Sequence, residues 1–421
     1  MKATTVQRIA WALFDFANSA FPTVITTFIF AAYFTKAIAP DEVTGTSLWG
    51  YATGAAGLMI ALCAPIFGAI ADHTGHRKPW IFLFSLICIL SSAALWYALP
   101  DTSSIALALL CVGMATFGFE MAMVFYNAML QDLSVPGKEG LLSGLSWGFG
   151  YLGGLLGLIV VLVLFVQTDT PLFGLDKDTS EHIRISGPFV AFWYALFALP
   201  LFLLVPDQPS KTTISKAIGQ GLSSLTATLK NWRDHKTVFS FLITRMIYID
   251  GLNTLFAFGG IYAAGTFNMG FKDLIIFGIG LNVTAGIGAA FFGWLDDRWG
   301  PKRVISLSLI AIFFIGGGTL LVADKNHFLI LGLLLGFFMG PTQAASRTYM
   351  SHIAPKDIHT ELFGLYALSG KVTAFIGPLL VAFMTDVFLS QRAGMATILI
   401  FFIIGLALMR NLPDIRGQTQ T

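Results

Sequence analysis

The sequence predicts an all-α polytopic membrane protein with 12 transmembrane helices, arranged as two pseudo-symmetric six-helix bundles. Three observations carry that expectation: a lipid-like composition, twelve long apolar windows, and motifs that recur in the second half of the chain. Of the 421 residues, 56% are hydrophobic and 11% charged, and the mean hydropathy is +0.76. So few charges cannot cover a water-soluble surface, which makes lipid the solvent for most of the chain. A spanning helix needs roughly 20 apolar residues and satisfies its backbone polar groups internally. A membrane β-barrel would show short alternating segments instead.

Apolar windows fall at about 9–36, 47–71, 80–99, 104–131, 140–166 and 187–206, then at about 237–264, 274–296, 302–323, 328–350, 360–386 and 393–411. Between the two sets lies the longest polar stretch, 207–236. Its Ile214, Ile218, Leu222, Leu225 and Leu229 recur at helical spacing, which predicts an amphipathic helix on the membrane surface. The expected domains are an N-terminal bundle (1–206), a cytoplasmic amphipathic linker (207–236) and a C-terminal bundle (237–421). Basic residues set the orientation. With the N-terminus inside, 16 Lys and Arg fall on the cytoplasmic side, 6 in the opposite loops, and 3 (Arg245, Arg347, Lys371) within spans. Both termini and the linker are therefore expected in the cytoplasm, with the protein in a bacterial inner membrane. The first apolar run lacks a small-residue cleavage site and reads as a retained helix.

The second half repeats the first. "GAIADHTGHRK" (68–78) and "GWLDDRWGPKR" (293–303) align at a constant offset of 225. Gly68 matches Gly293, Asp72 matches Asp297, Gly75 matches Gly300, and Arg77–Lys78 matches Lys302–Arg303. Each copy follows the second span of its half, where the glycines allow a tight turn and the aspartate can pair with a base or cap a helix. Asp15-x-x-Asn18-Ser19-x-Phe21 reappears as Asp250-x-x-Asn253-Thr254-x-Phe256. Gly144, Gly150 and Gly157 correspond to Gly364, Gly370 and Gly377. Three motifs in the same order imply two six-helix halves in parallel orientation, a common transporter plan.

The loop at 68–78 and its copy resemble the loop motif of the major facilitator superfamily, departing at His73 where a basic residue is usual and keeping Arg298 in the copy. "WALFDFANSAF" (11–21), "YNAMLQDL" (126–133), "YIDGLNT" (248–254) and "ELFGLYALSGKVTAFIGP" (361–378) look like its vacuole-effluxer-like branch, also called the unknown major facilitator family. The resemblance covers essentially the whole chain. It implies alternating access and, from the fungal members, export of amino acids from the vacuole.

Ionisable residues inside a membrane cost at least about 2.5–3.5 kcal/mol each, so they are functional candidates. Asp15, Glu120 and Asp250 face Arg245, Arg347 and Lys371 in number, and the expectation is pairing across a central cavity. Asp15 and Asn18, Asp250 and Asn253, Glu120 and Asn127, and Gln343 and Arg347 each share a helix face, with Tyr126 beside Asn127. Arg245 and Asp250 lie about 140° apart around one helix, which disfavours pairing. Arg347 and Lys371 are candidates to hold a carboxylate, Arg347 by a bidentate contact. An acidic residue opposite would hold an ammonium or exchange a proton. The alternative, that the charges only hold helices together, accounts for any one residue more readily than for all six, because apolar packing would fill those sites without the desolvation penalty. Asp72, Arg77, Asp297 and Arg303 are expected to form a cytoplasmic latch that breaks as the halves rock. The glycines of the fifth segment are expected to serve close helix packing.

Other chemistries fail on spacing. Cys63, Cys88 and Cys111 sit in apolar runs and form neither a disulfide framework nor a metal site. "GLYALSGKV" (364–372) has one residue too many for a Walker motif and a valine after the lysine. No HExxH or GxSxG occurs, so no enzyme, cofactor or metal is expected, and a net charge of +2 gives no sign of nucleic-acid binding. The expected function is gradient-driven transport of a small polar solute, best amino acids, by a monomer, with the proton as one candidate coupling ion. Rival readings are an exporter of amphipathic compounds and a non-transporting receptor or scaffold. Asp15→Asn, Asp250→Asn and Arg347→Ala are each expected to abolish transport and leave the fold intact.

Overall fold

The computed structural model describes residues 3–415, with the side chains of all but 271, 272 and 275. Among the described residues eleven helices are long and apolar enough to cross a membrane, and no strand occurs. The first set is α1 (Thr5–Ile38), α2 (Glu42–Thr74), α3 (Lys78–Tyr97), α4 (Thr102–Ala128), α5 (Glu139–Val166) and α6 (Glu181–Leu204). Helix α7 (Ile214–Lys230) follows in the polar stretch. The second set is α8 (Lys236–Phe267), α9 (Phe271–Trp299), α10 (Pro301–Leu321), α11 (Lys325–Ile353), α12 (His359–Ser369), α13 (Ile376–Phe388) and α14 (Gln391–Arg410).

Local chemistry sets several ends. Thr4 and Gln7 form a reciprocal capping box that starts α1, and the Asp41 and Asp324 carboxylates cap α2 and α11. Within α1 the helix widens to π-type turns over Phe21–Phe28. Pro22 has no N–H to give there, and Thr26 and Thr27 both donate to its carbonyl.

The eleventh span differs from the continuous 360–386 window. It is two helices, α12 and α13, separated by a turn at 370–375. Pro378 supplies the reason: its ring is tolerated in the first turn of a helix but clashes with a carbonyl four residues back in a continuous one. Lys371 therefore lies in a break, where a helical residue was expected.

In the first set α1 packs on α5 and α6, and α3 on α4 and α6; in the second α11 packs on α9 and α10, and α8 on α14. The two sets meet along α5–α9 and α2–α12. Both crossings are backbone on backbone near the linker face. A Cβ at Gly144 would overlap the Ala289 carbonyl, and one at Gly364 would overlap that of Ala64. This close approach is why the duplicated glycines recur.

Helix α7 lies against α2 through its small residues, with Gly221 seated on the backbone of Ala69 and Ile70. Ile214, Ile218, Leu222 and Leu229 are exposed on the other side. The apolar row thus turns away from the protein, where a membrane surface can receive it.

If the α5–α9 crossing closes the linker face, Gly144→Val should wedge it open, since overpacking costs about 1–3 kcal/mol. The expected readout is faster maleimide labelling of a cysteine placed at Ala289, in a background without the three native cysteines. Unchanged labelling would show that the crossing is not what shields that face.

Candidate functional site

Asp15 and Arg347, on α1 and α11, form an ion pair at 3.2 Å with Arg347 only 1% exposed. Arg347 fills its other donors locally: Nε to Ser143 Oγ at 2.9 Å, Nη2 to the Ser143 carbonyl at 2.7 Å, and Nη1 to Asn127 Oδ1 at 3.1 Å. Ser146 donates to the Asp15 carboxylate and is itself bonded to Tyr126 OH. The indole of Trp11 stacks on Tyr126 with centroids 4.4 Å apart, and the guanidinium sits over Trp11, Tyr126 and Trp147. Aromatic walls and the hydrogen bonds to Ser143, Asn127 and Ser146 let a buried site hold two charges.

This cluster underlies a cavity of about 690 Å³. Its floor carries Asp15, Asn18, Trp147, Tyr151 and Gln343, with Tyr151 OH donating to Gln343 at 3.2 Å. Its upper walls reach Leu274, Thr319 and Phe328 at helix ends on the face away from the linker. The walls are mostly apolar, with Phe28, Phe119, Phe256 and Phe277 prominent. A shape of this kind suits a ligand with one polar end.

Glu120 and Lys371 make a second pair across the two sets, at 2.6 Å and part-exposed. Among the described residues, Arg245 and Asp250 pair with neither each other nor any other charge. The Arg245 guanidinium donates to the Tyr366 carbonyl and to Ser369 Oγ, both at 2.8 Å, at the C-terminal end of α12. Asp250 is 1% exposed and packs against the first turn of α13, where a Cβ on Gly377 would sit 3.1 Å from its Oδ1. Each charge thus faces the helix end of opposite polarity at the break in the eleventh span. Asn253 departs from the expected shared face: it is exposed while Asp250 is buried.

The duplicated loops clamp the linker face. Asp72 accepts from the Thr360 and Glu361 amides at 3.1 and 2.8 Å, capping α12 across the two sets. Asp297 accepts from Gly140 N at 2.8 Å and from Leu141 N, capping α5 in the opposite direction. Arg77 bonds Thr360 Oγ1 at 3.0 Å and pairs with Asp132. Arg303 does not join this clamp: it pairs with Asp414 at 3.0 Å within the second set. Lys78 and Lys302 share another task, donating to the last carbonyls of α6 and α14. Arg298 stacks on Trp294 at 3.9 Å, and Gly75 and Gly300 adopt positive φ at the turns.

The family pattern described as "Vacuole effluxer Atg22 like" matches residues 131–421, and that of the "Major Facilitator Superfamily" matches 5–158. The chain belongs to the vacuole effluxer Atg22-like family. Among its relatives is an uncharacterized MFS-type transporter, YxiO, of Bacillus subtilis, 27% identical over 98% of this chain and 96% of that protein. Autophagy-related protein 22 of Kluyveromyces lactis is 25% identical over 69% of this chain and 61% of its own. Two solved major facilitator transporters share the fold: FucP in the outward conformation (TM-score 0.77, 15% identity, 97% and 98% of the chains) and the proton:xylose symporter XylE (0.76, 13%, 98% and 97%).

In this Atg22-like chain the residues expected to take a carboxylate are committed elsewhere, Arg347 to Asp15 and Lys371 to Glu120. Among the cavity residues expected from the sequence, Asp15, Asn18 and Gln343 line it, while Tyr126, Asn127 and Arg347 lie in the cluster beneath. Ser143, Ser146, Trp11, Trp147 and Tyr151 were missed. Their only signal is that Ser143, Ser146 and Gly150 share one helical face, and that cue points equally to packing.

Burial of the pair adds a stability cost to one substitution. Arg347→Ala strands a buried carboxylate and should destabilise the fold by about 3–5 kcal/mol. The double variant Asp15→Asn/Arg347→Ala should recover part of that loss in thermal unfolding. Equal losses in both would show that the two charges are not coupled.

Proposed function

We propose that this membrane transporter carries a small zwitterion, with amino acids bearing apolar side chains as its substrates. It sits in the bacterial inner membrane with both termini in the cytoplasm, and an ion gradient drives it. The observation that carries the reading is the Asp15–Arg347 pair under a mostly apolar cavity. An ammonium arriving from the cavity competes with Arg347 for Asp15, and the Nη1 group released from Asp15 then donates to the carboxylate while Ser143 keeps the guanidinium in place. Such a ligand splits a bond that ties α1 to α11, so binding favours the state in which the two sets have moved. The description of the matched family pattern, vacuole effluxer, supports carriage of small solutes across a membrane.

In this state the clamps at Asp72 and Asp297 and the glycine crossings close the linker face, while the cavity reaches the other face. Rocking must break the two caps, each a carboxylate on the amides of a helix in the opposite set. An exporter of larger amphipathic compounds is the second reading, favoured by Phe28, Phe119, Phe256 and Phe277 in the walls.

The test is a thermal-shift screen of the purified protein against amino acids, peptides, nucleosides, organic acids and amphipathic cations, followed by uptake in proteoliposomes. Amino acids with apolar side chains should raise the melting temperature by mass action. Asp15→Asn should lose at least about tenfold in uptake, since one charge-assisted hydrogen bond is worth about 1.5–3 kcal/mol. Wild-type uptake by Asp15→Asn would overturn the site, and shifts with amphipathic cations alone would make the second reading the better one.

A further inference from the structure

The three acidic residues in mid-span have unequal company. Asp15 faces the Arg347 guanidinium at 3.2 Å and accepts from Ser146. Glu120 faces the Lys371 ammonium at 2.6 Å and is part-exposed. Asp250 is 1% exposed, neither of its oxygens makes a hydrogen bond of ordinary geometry, the backbone of Gly377 in the first turn of α13 being its one polar neighbour, and the Thr254 hydroxyl one turn away is likewise without a partner among the described residues.

The elements around Asp250 offer it no compensating charge. On its own helix, Arg245 is turned to the end of α12. Helix α11 brings Arg347, held by Asp15, and Tyr248 is bonded to Ser346 of that helix. From α12 come Tyr366, under the Arg245 guanidinium, and Glu361, bonded to Ser224. The turn before α13 carries Lys371, held by Glu120, and α13 itself carries Asp386, another acid near its far end. Helix α14 contributes Arg392, which donates to the Leu320 and Val322 carbonyls, and meets Gly251 with Phe401 and Phe402. Helix α9 brings Asp273, paired with Lys325, and at its linker end Asp296, Asp297 and Arg298.

One favourable field remains, the N-terminus of α13. A helix end is worth up to about 2 kcal/mol to a partly buried anion. Burying an unpaired charge costs several kcal/mol after relaxation, so the helix end alone does not hold the ionised form. Neutralisation is the smaller cost.

We infer that Asp250 is a proton-binding site, separate from the ion pair on the cavity floor and occupied while the linker face is closed. On the transport reading above, on which this role rests, it is the coupling proton. A neutral Asp250 packs against the first turn of α13. Once water reaches the break in the eleventh span, the proton leaves and the carboxylate is held by the same helix end. A sodium ion is the poorer occupant, because Asp250 and Thr254 supply three free side-chain oxygens and hard cations need more.

The experiment needs no substrate, so its failure is distinguishable from failure of the transport assay. Wild type and Asp250→Asn are purified in detergent and melted between about pH 5 and 9, in sodium and in choline buffers. A native state that keeps a proton which the unfolded state releases loses stability as pH rises. The wild-type melting temperature should therefore fall with rising pH relative to Asp250→Asn, equally in both buffers. Infrared spectra of the wild type should show an aspartic-acid carbonyl band that shifts in heavy water and is lost in Asp250→Asn. Asp296, likewise buried and unpartnered, should keep its own band in that variant. Parallel pH profiles, no band lost in the variant, or stabilisation of the wild type by sodium alone would each overturn the inference. So would an Asp250→Asn protein that does not fold, since asparagine matches a neutral aspartic acid in shape.

Discussion

A charge withdrawn from water must meet an opposite charge, a helix end or a proton, and the interior of this transporter is organised by that constraint. The Asp15–Arg347 pair is its clearest expression. The guanidinium is surrounded by three aromatic rings, and its N–H groups reach Ser143, Asn127 and Asp15. Because the two partners come from different helix sets, the contact that solves a solvation problem also fixes how the sets lie against each other. Anything that competes for either partner acts on the conformation of the whole protein.

The same constraint acts at helix ends. Asp72 and Asp297 each cap a helix of the opposite set, and the two caps run in opposite directions. Arg245 and Asp250 meet the two ends exposed by the break in the eleventh span. Helix ends carry partial charges, so these contacts are firm in a dry interface and weaken when water enters. That property suits a clamp that has to open. Glycine makes it possible, because the backbones at the α5–α9 and α2–α12 crossings approach until no Cβ fits.

Much of this was legible in the chain. Duplication of Gly68-x-x-x-Asp72 and of the Asp15/Asn18 pair pointed to a two-fold plan, and the intramembrane charges pointed to Asp15, Arg347, Glu120 and Lys371, which the structure brings together in pairs. Arg303 misled, because a motif records which residues recur and cannot tell an ion pair from a capped amide. Asn253 misled for a related reason: its spacing from Asp250 matched the first copy, but the helices packed around it differ.

By itself, the sequence determined the solvent, the helical architecture, its duplication and the list of charges that needed partners. Composition and periodicity report those properties because each depends on residues close in the chain. Only the tertiary structure decided which charge meets which, since Asp15 and Arg347 are joined by packing between helices far apart in sequence. It also decided that the eleventh span breaks between Arg245 and Asp250, leaving one carboxylate without a cation. No local pattern encodes that outcome, because it follows from where α8 comes to rest against the two ends of α12 and α13.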